Sequence, residues 1–238
     1  MFVTIKLRKL ITIIIIALLA AALIFFTARL NAHKIGAFSD KNEYTLVIDP
    51  GHGGIDGGAI AESGAEESDI NLKISLKMQA LSAFLGQNCV MTRETDTDNS
   101  QGEKYSEHYN LVKRAELTNS TPNAVLISVH QNNYPSPLVK GAEVMYSLND
   151  KSRELGLITQ DNLVTYLDTE NRRVAHPAPD SLLLTSSVNC PAILVECGFM
   201  SNSDEAEKLA SDEYETKLAV VLISSYIQFA ENNIQVKI

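Results

Sequence analysis

Residues 44–59 read YTLVIDPGHGGIDGGA, a strand that runs into a glycine-rich loop. Four apolar or branched residues lead into Asp49, and Pro50 then breaks the run; apolar residues on successive positions mark a strand covered on both faces. Five glycines between positions 51 and 58 come next, which lets the backbone fold tightly around one imidazole, His52. The loop has neither the lysine of a P-loop nor GxGxxG spacing, so a phosphate cradle is not the reading.

Outward from this strand the same pattern recurs. NCVMT (88–92), AVLISVH (124–130), AEVMYS (142–147) and AILVE (192–196) are rich in branched residues and predict further strands. Between them lie helical periodicities. In 67–86, Ile70, Ile74, Met78, Leu81 and Leu85 recur at intervals of three or four, one buried stripe of a helix. Shorter patterns occupy 106–119, 151–168 and 213–231, and SNSDEAEKL (201–209) offers a capped short helix. Alternating strands and helices predict a single-domain α/β fold with a central, mostly parallel sheet and helices on both faces. In such a sheet the functional groups gather beyond the carboxyl ends of the strands. A second imidazole, His130, and a carboxylate, Glu196, close two of the predicted strands there.

The remainder of the 238 residues bounds the partners. Lys and Arg number 20 against 29 Asp and Glu, a net charge of −9, so the basic field that nucleic-acid binding needs is missing. LITIIIIALLAAALIFFTA (10–28) is an uncharged apolar run of membrane-spanning length, preceded by Lys6, Arg8 and Lys9. The positive-inside rule keeps residues 1–9 cytoplasmic and exports the chain beyond the apolar run. The segment reads as an uncleaved anchor or a signal peptide, since its apolar core is long and its small-x-small site is poor. A linker at 29–42, a catalytic domain at 43–232 and a tail at 233–238 complete the expected layout. Cys89, Cys190 and Cys197 form no CxxC pair and read as small buried hydrophobes, with a Cys190–Cys197 bridge left open. His33, His108 and His176 match no motif and read as surface or loop residues, although His176 could line a groove.

Two imidazoles and a carboxylate from separate elements suit the three protein ligands of a catalytic zinc. The helix after the glycine loop opens with Glu66 and Glu67, either of which also suits a helix dipole. HExxH and GxSxG are both absent. VIDPGHGG, Glu-x-Asp at a helix start, TRETD (92–96), SVHQN (128–132) and VECGFMSN (195–202), in this order, resemble the type 3 family of zinc-dependent N-acetylmuramoyl-L-alanine amidases. The likeness covers about residues 44–230 and is strongest to the short, singly anchored, germination-associated members.

The resemblance implies a phosphorylase/hydrolase-like fold and hydrolysis of the amide between the lactyl group of N-acetylmuramic acid and L-Ala, in spore cortex and leading to muramic δ-lactam. It implies that His52, Glu67 and His130 hold Zn²⁺ and that Glu196 is the catalytic carboxylate. Glu67 is preferred to Glu66 because Glu67-Ser68-Asp69 keeps the Glu-x-Asp register. Asp49, Asp69, Asn132 and Arg114 are candidates to support the ligands, with turn, cap and ion-pair roles as the alternative. Arg93 reads chiefly as a structural ion-pair residue. Peptidoglycan is the implied partner, the membrane is reached through the N-terminal helix, and there is room for a lipoprotein activator of the kind that related clostridial enzymes use. Asn133 departs from the family's usual Ala, and only 65 residues separate His130 from Glu196, too few for the blocking helix of some cell-division relatives. The competing expectation is a catalytically silent wall-binding or partner-binding module on the same scaffold.

Overall fold

The computed structural model describes residues 43–98 and 106–234. The expected membrane segment at 10–28 and its flanks at 1–9 and 29–42 lie outside the described residues. Among those described, no helix is long and apolar enough to cross a membrane.

The elements run β1 (Thr45–Pro50), α1 (Glu67–Phe84), β2 (Cys89–Met91), α2 (Glu107–Ser120), β3 (Ala124–Asn132), β4 (Glu143–Tyr146), α3 (Asp150–Tyr166), β5 (His176–Pro177), α4 (Leu183–Ser187), β6 (Ala192–Phe199), α5 (Ser203–Leu209) and α6 (Asp212–Ile234). They form a single α/β domain around a six-stranded sheet of order β2-β1-β3-β6-β4-β5. The sheet is mixed. β1 pairs in parallel with β2 and β3, and β3 with β6, whereas β4 runs antiparallel to β6. The expected alternation of strands and helices is present, with β5 and α4 added inside the connection at 170–190. α6 runs two residues into the expected tail, and residues 235–238 lie outside the described residues.

The two faces of the sheet are covered unequally. On one face Leu46, Ile48, Ile127, Val129, Ile193 and Val195 pack under α1, α3 and α6, through Ile70, Ile74, Met78, Leu155, Leu222 and Phe229 among others. Full burial of each such side chain contributes about 1.5–3 kcal/mol, so this face carries most of the stabilisation. On the other face a smaller cluster forms, in which Val47, Ala124, Leu126 and Ala192 meet Ala115, Leu184 and Val188, from α2 and the α4 region. Residues alternate across a strand, so the same face carries Asp49, Ser128, His130, Leu194 and Glu196 farther along. There the small apolar cluster gives way to a cavity of about 240 Å³ lined by those five residues, His52, Leu111 and the Ser181–Thr185 segment.

Local chemistry sets the helix starts. Asn149 and Asn202 accept from the backbone N–H groups of Ser152 and Glu205 through their side chains, and Ser106 does the same for Tyr109. The three cysteines are free, so no bridge links Cys190 to Cys197.

Candidate metal centre

β1 delivers the chain into the glycine loop at the carboxyl edge of the sheet. His52 takes a left-handed backbone conformation, φ 59°, which a non-glycine residue adopts only when its surroundings fix it. Two buried arginines do so. Arg114 donates from Nη1 to the Pro50 carbonyl at 2.7 Å and from Nη2 to the His52 carbonyl at 2.5 Å. Arg93 donates to the carbonyls of Pro50, Gly51 and Ser68 at 3.0, 2.9 and 2.8 Å. Its role is therefore that of a carbonyl clamp, and the charge pairing expected for it belongs to Arg114.

Two of the glycines are forced by close approach. A Cβ on Gly51 would collide with the imidazole ring of His130, and one on Gly58, at φ +68°, would stand 2.6 Å from Oε2 of Glu67. Backbone at both positions thus forms the wall against which the functional side chains rest.

Glu67 opens α1 and is buried, with Glu66 outside it as the exposed N-cap. Its Oε1 lies 3.2 Å from Nε2 of His52 and 3.0 Å from Nδ1 of His130. The same oxygen accepts from Gln131 N at 3.0 Å and Asn71 Nδ2 at 3.3 Å, and Oε2 accepts from Ala59 N at 2.9 Å. Ligand atoms of His52, Glu67 and His130 all lie within 4.8 Å of one another. The structure therefore brings these three side chains together, and the carboxylate between the two imidazoles is that of Glu67, with Glu66 pointing outside.

Charge follows this geometry. Burial disfavours ionisation of Glu67, but hydrogen bonds and charge from His130 and His52 outweigh it and hold the carboxyl well below its ordinary value. Burial likewise opposes a charge on His52, and Glu67 with Asp56 overcomes it, raising the imidazole to about 9. Asp56 is a site residue that the sequence does not disclose. It accepts from Nδ1 of His52 at 2.8 Å, which leaves Nε2 as the nitrogen facing Glu67. A two-way backbone pairing of Gly53 with Asp56 folds the loop back so that this carboxylate returns to the imidazole four residues earlier.

Glu196 stands in register with His130 on the neighbouring strand. Its Oε2 is buried with no hydrogen-bond partner. Burial raises its pKa to about 7, opposed by His130 and reinforced by the charges of Glu67 and Glu143.

The supporting candidates divide. Asp49 does not touch a metal-ligand side chain. It is the buried counter-ion of Arg114 at 2.8 Å and also accepts from Thr92 and Ser128, both at 2.6 Å. Asp69 is exposed on the first turn of α1, where it complements the helix dipole. Asn132 uses its side chain to accept from Asn133 N at 2.8 Å, a turn bond. Of the set, Arg114 alone acts on the loop that holds a ligand, through the backbone of His52. Asn71 and Gln131, which steady Glu67, carry no sign of that role in the sequence, although Gln131 lies inside SVHQN.

The donor set suits a zinc ion: two imidazole nitrogens and one carboxylate oxygen, with an unpartnered buried carboxyl beside them and a cavity alongside.

Residues 46–225 match the family model described as N-acetylmuramoyl-L-alanine amidase. A structure of the CwlD amidase from Clostridioides difficile in complex with the GerS lipoprotein superposes with a TM-score of 0.72 at 33% identity, over 79% of this chain and 98% of that one. An N-acetylmuramoyl-L-alanine amidase from Clostridium difficile 630 gives 0.70 at 31%, over 80% and 98%. The germination-specific N-acetylmuramoyl-L-alanine amidase of Bacillus subtilis is 29% identical over 189 residues, 77% of this chain and 78% of its own length. With the family model spanning most of the chain and the fold shared with these amidases, the chain belongs to the N-acetylmuramoyl-L-alanine amidase family.

Proposed function

We propose that this chain hydrolyses the amide between the lactyl group of N-acetylmuramic acid and the L-Ala of the peptidoglycan stem, with zinc held by His52, Glu67 and His130. The observation that carries the reading is the convergence of those three side chains within 4.8 Å, with Glu196 in register beside them. Zinc, when bound, supplies Lewis acidity that polarises a carbonyl and makes water far more acidic.

The chain's own residues do the rest. Asp56 holds the proton on Nδ1 of His52 and keeps Nε2 available as a donor atom. Glu196 takes a proton from the attacking water on Oε2 and returns it to the departing nitrogen of L-Ala. A carboxyl that titrates near 7 is matched to both halves of that transfer. Arg93 and Arg114 fix the loop carbonyls so that His52 does not drift as charge develops. A silent binding module gives no reason for Glu196: a buried carboxyl oxygen without a partner is costly, and a non-catalytic scaffold would lose nothing by replacing it.

The finer setting is part of the same proposal. The germination-specific relative in Bacillus subtilis supports a role in spore cortex, where removal of the stem frees the lactyl carboxyl that closes to the δ-lactam once the 2-acetamido group of the same sugar has been deacetylated. The neighbour solved with a lipoprotein supports an activating lipoprotein partner. The apolar run at 10–28 supports an extracytoplasmic domain attached to the cell or forespore membrane, or exported once a signal is cleaved. The test is incubation of the purified full chain in detergent with peptidoglycan, with and without chelator and with a co-purified lipoprotein where one is found. New N-termini of L-Ala and unsubstituted muramic acid are expected only without chelator. Binding to glycan that chelator leaves unchanged, with no release of peptides, would instead mark a binding module.

A further inference from the structure

The polar row that begins at the metal centre does not stop at Glu196. Glu143 on β4 is directly opposite Glu196 on β6, so His130, Glu196 and Glu143 lie side by side on one face of the sheet across three strands. Glu143 is in turn flanked by Arg173 and His176. Nη1 of Arg173 lies 2.9 Å from Oε2 of Glu143, and Nε2 of His176 lies 3.2 Å from Oε1.

Arg173 is held in place from three directions. Its Nε donates to the Lys140 carbonyl at 3.0 Å, its Nη1 meets Glu143, and its guanidinium lies 4.6 Å above the Phe199 ring. A register shift between His130 and Asn132 brings Phe199 level with Asn132, which sets the ring under the arginine. Nη2 has no partner among the described residues, and the side chain keeps 26% of its surface exposed. The arrangement is a planar cationic fork, pre-positioned and short of one acceptor, at the rim of a protein whose net charge is −9.

We propose that Arg173 is a specificity-determining residue that receives a free carboxylate on the leaving peptide, at the residue following L-Ala. This rests on the amidase reading, and substrate chemistry narrows the choice. The glycan side offers no anion, since both amino sugars are acetylated and the lactyl carboxyl is itself the scissile amide. A free carboxylate near the cut therefore belongs to the peptide. The second stem residue, when it is a glutamate joined through its side chain, keeps its α-carboxylate. From the scissile nitrogen that group is roughly 6 Å away in an extended peptide. Glu143 stands one strand from Glu196, ~4.5–5.5 Å between Cβ atoms, and the Arg173 fork lies just past it. Glu143 orients the fork, and its two carboxylate oxygens face Arg173 and His176.

The experiment compares two synthetic muramyl peptides that differ only in carrying the acid or the primary amide at that α-position, with the zinc-loaded full chain. Wild type is expected to favour the acid by about ten- to a hundredfold in kcat/KM, mostly through KM, the range of a charge-assisted hydrogen bond. Arg173→Gln is expected to bring the acid-to-amide ratio close to one, and Arg173→Lys to restore part of it. Inhibition by the free L-Ala-γ-D-Glu dipeptide and by its amide gives a second ratio, independent of turnover, that should collapse in the same variant. If wild type cleaves both peptides equally, or Arg173→Gln keeps the wild-type ratio, Arg173 has no such role while the amidase reading stands. If wild type cleaves neither peptide under any condition, both fall together.

Discussion

His130 and Glu196 face the same side of the sheet at one register position on adjacent parallel strands, so the proposed metal-ligand imidazole and the proposed proton carrier are spaced by backbone pairing, not by loops. A strand pair of this kind is among the stiffest supports a fold offers. The relative position of the two groups should therefore survive substitution of either one.

Glu196→Gln is expected to bind zinc as wild type does and to lose 10²–10⁴ in kcat, the range for removing a general acid–base. Metal content by elemental analysis and turnover on muropeptides check the two halves separately. Near-normal turnover in the variant, with any activating partner present, would remove Glu196 from the reaction.

Asp56→Asn tests the orientation of His52. An amide can donate as well as accept, so it no longer dictates which ring nitrogen carries the proton. Zinc affinity, read by competition with a chromophoric chelator, is expected to fall ~10–100-fold.

Asp49 and Arg114 make a stability prediction with a defined pH window. The two are buried together at 2.8 Å. Burial pushes the Asp49 carboxyl up, but Arg114, Ser128 and Thr92 pull harder, and it ends below its ordinary 3.8. A group whose folded pKa is depressed stabilises the fold fully above its unfolded value and ceases to do so as pH falls through the folded one. Asp49→Asn leaves Arg114 buried without a counter-ion and is expected to cost about 3–5 kcal/mol at pH 7. Urea unfolding at a series of pH values should show that gap narrowing below 3.8. A gap independent of pH across that window contradicts the assignment.

These variants also mark what could be read from the chain before its fold. β1, β3 and β6 announce themselves because doubly covered strands leave unbroken apolar runs, and the groups that close β3 and β6 fall at the carboxyl edge, where open α/β sheets place sites. β5 and α4 leave no such trace: two residues that include Pro177, and one turn and a half of helix, are too short for periodicity. β4 reads as a strand but carries no sign of its antiparallel direction. Asp49 is legible as important and not in its role, because the arginine it neutralises is 65 residues away. Asp56 stays hidden among glycines, since its reach to His52 depends on a backbone turn that sequence spacing does not specify.

The most direct measurement is metal stoichiometry against activity in the purified, active chain. One zinc per chain is expected, removed by chelator together with amidase activity and restored with it, and absent from His52→Ala, Glu67→Ala and His130→Ala. An active preparation holding no divalent metal, or a triple set of variants that keeps both zinc and turnover, would contradict a reaction centred on those three side chains.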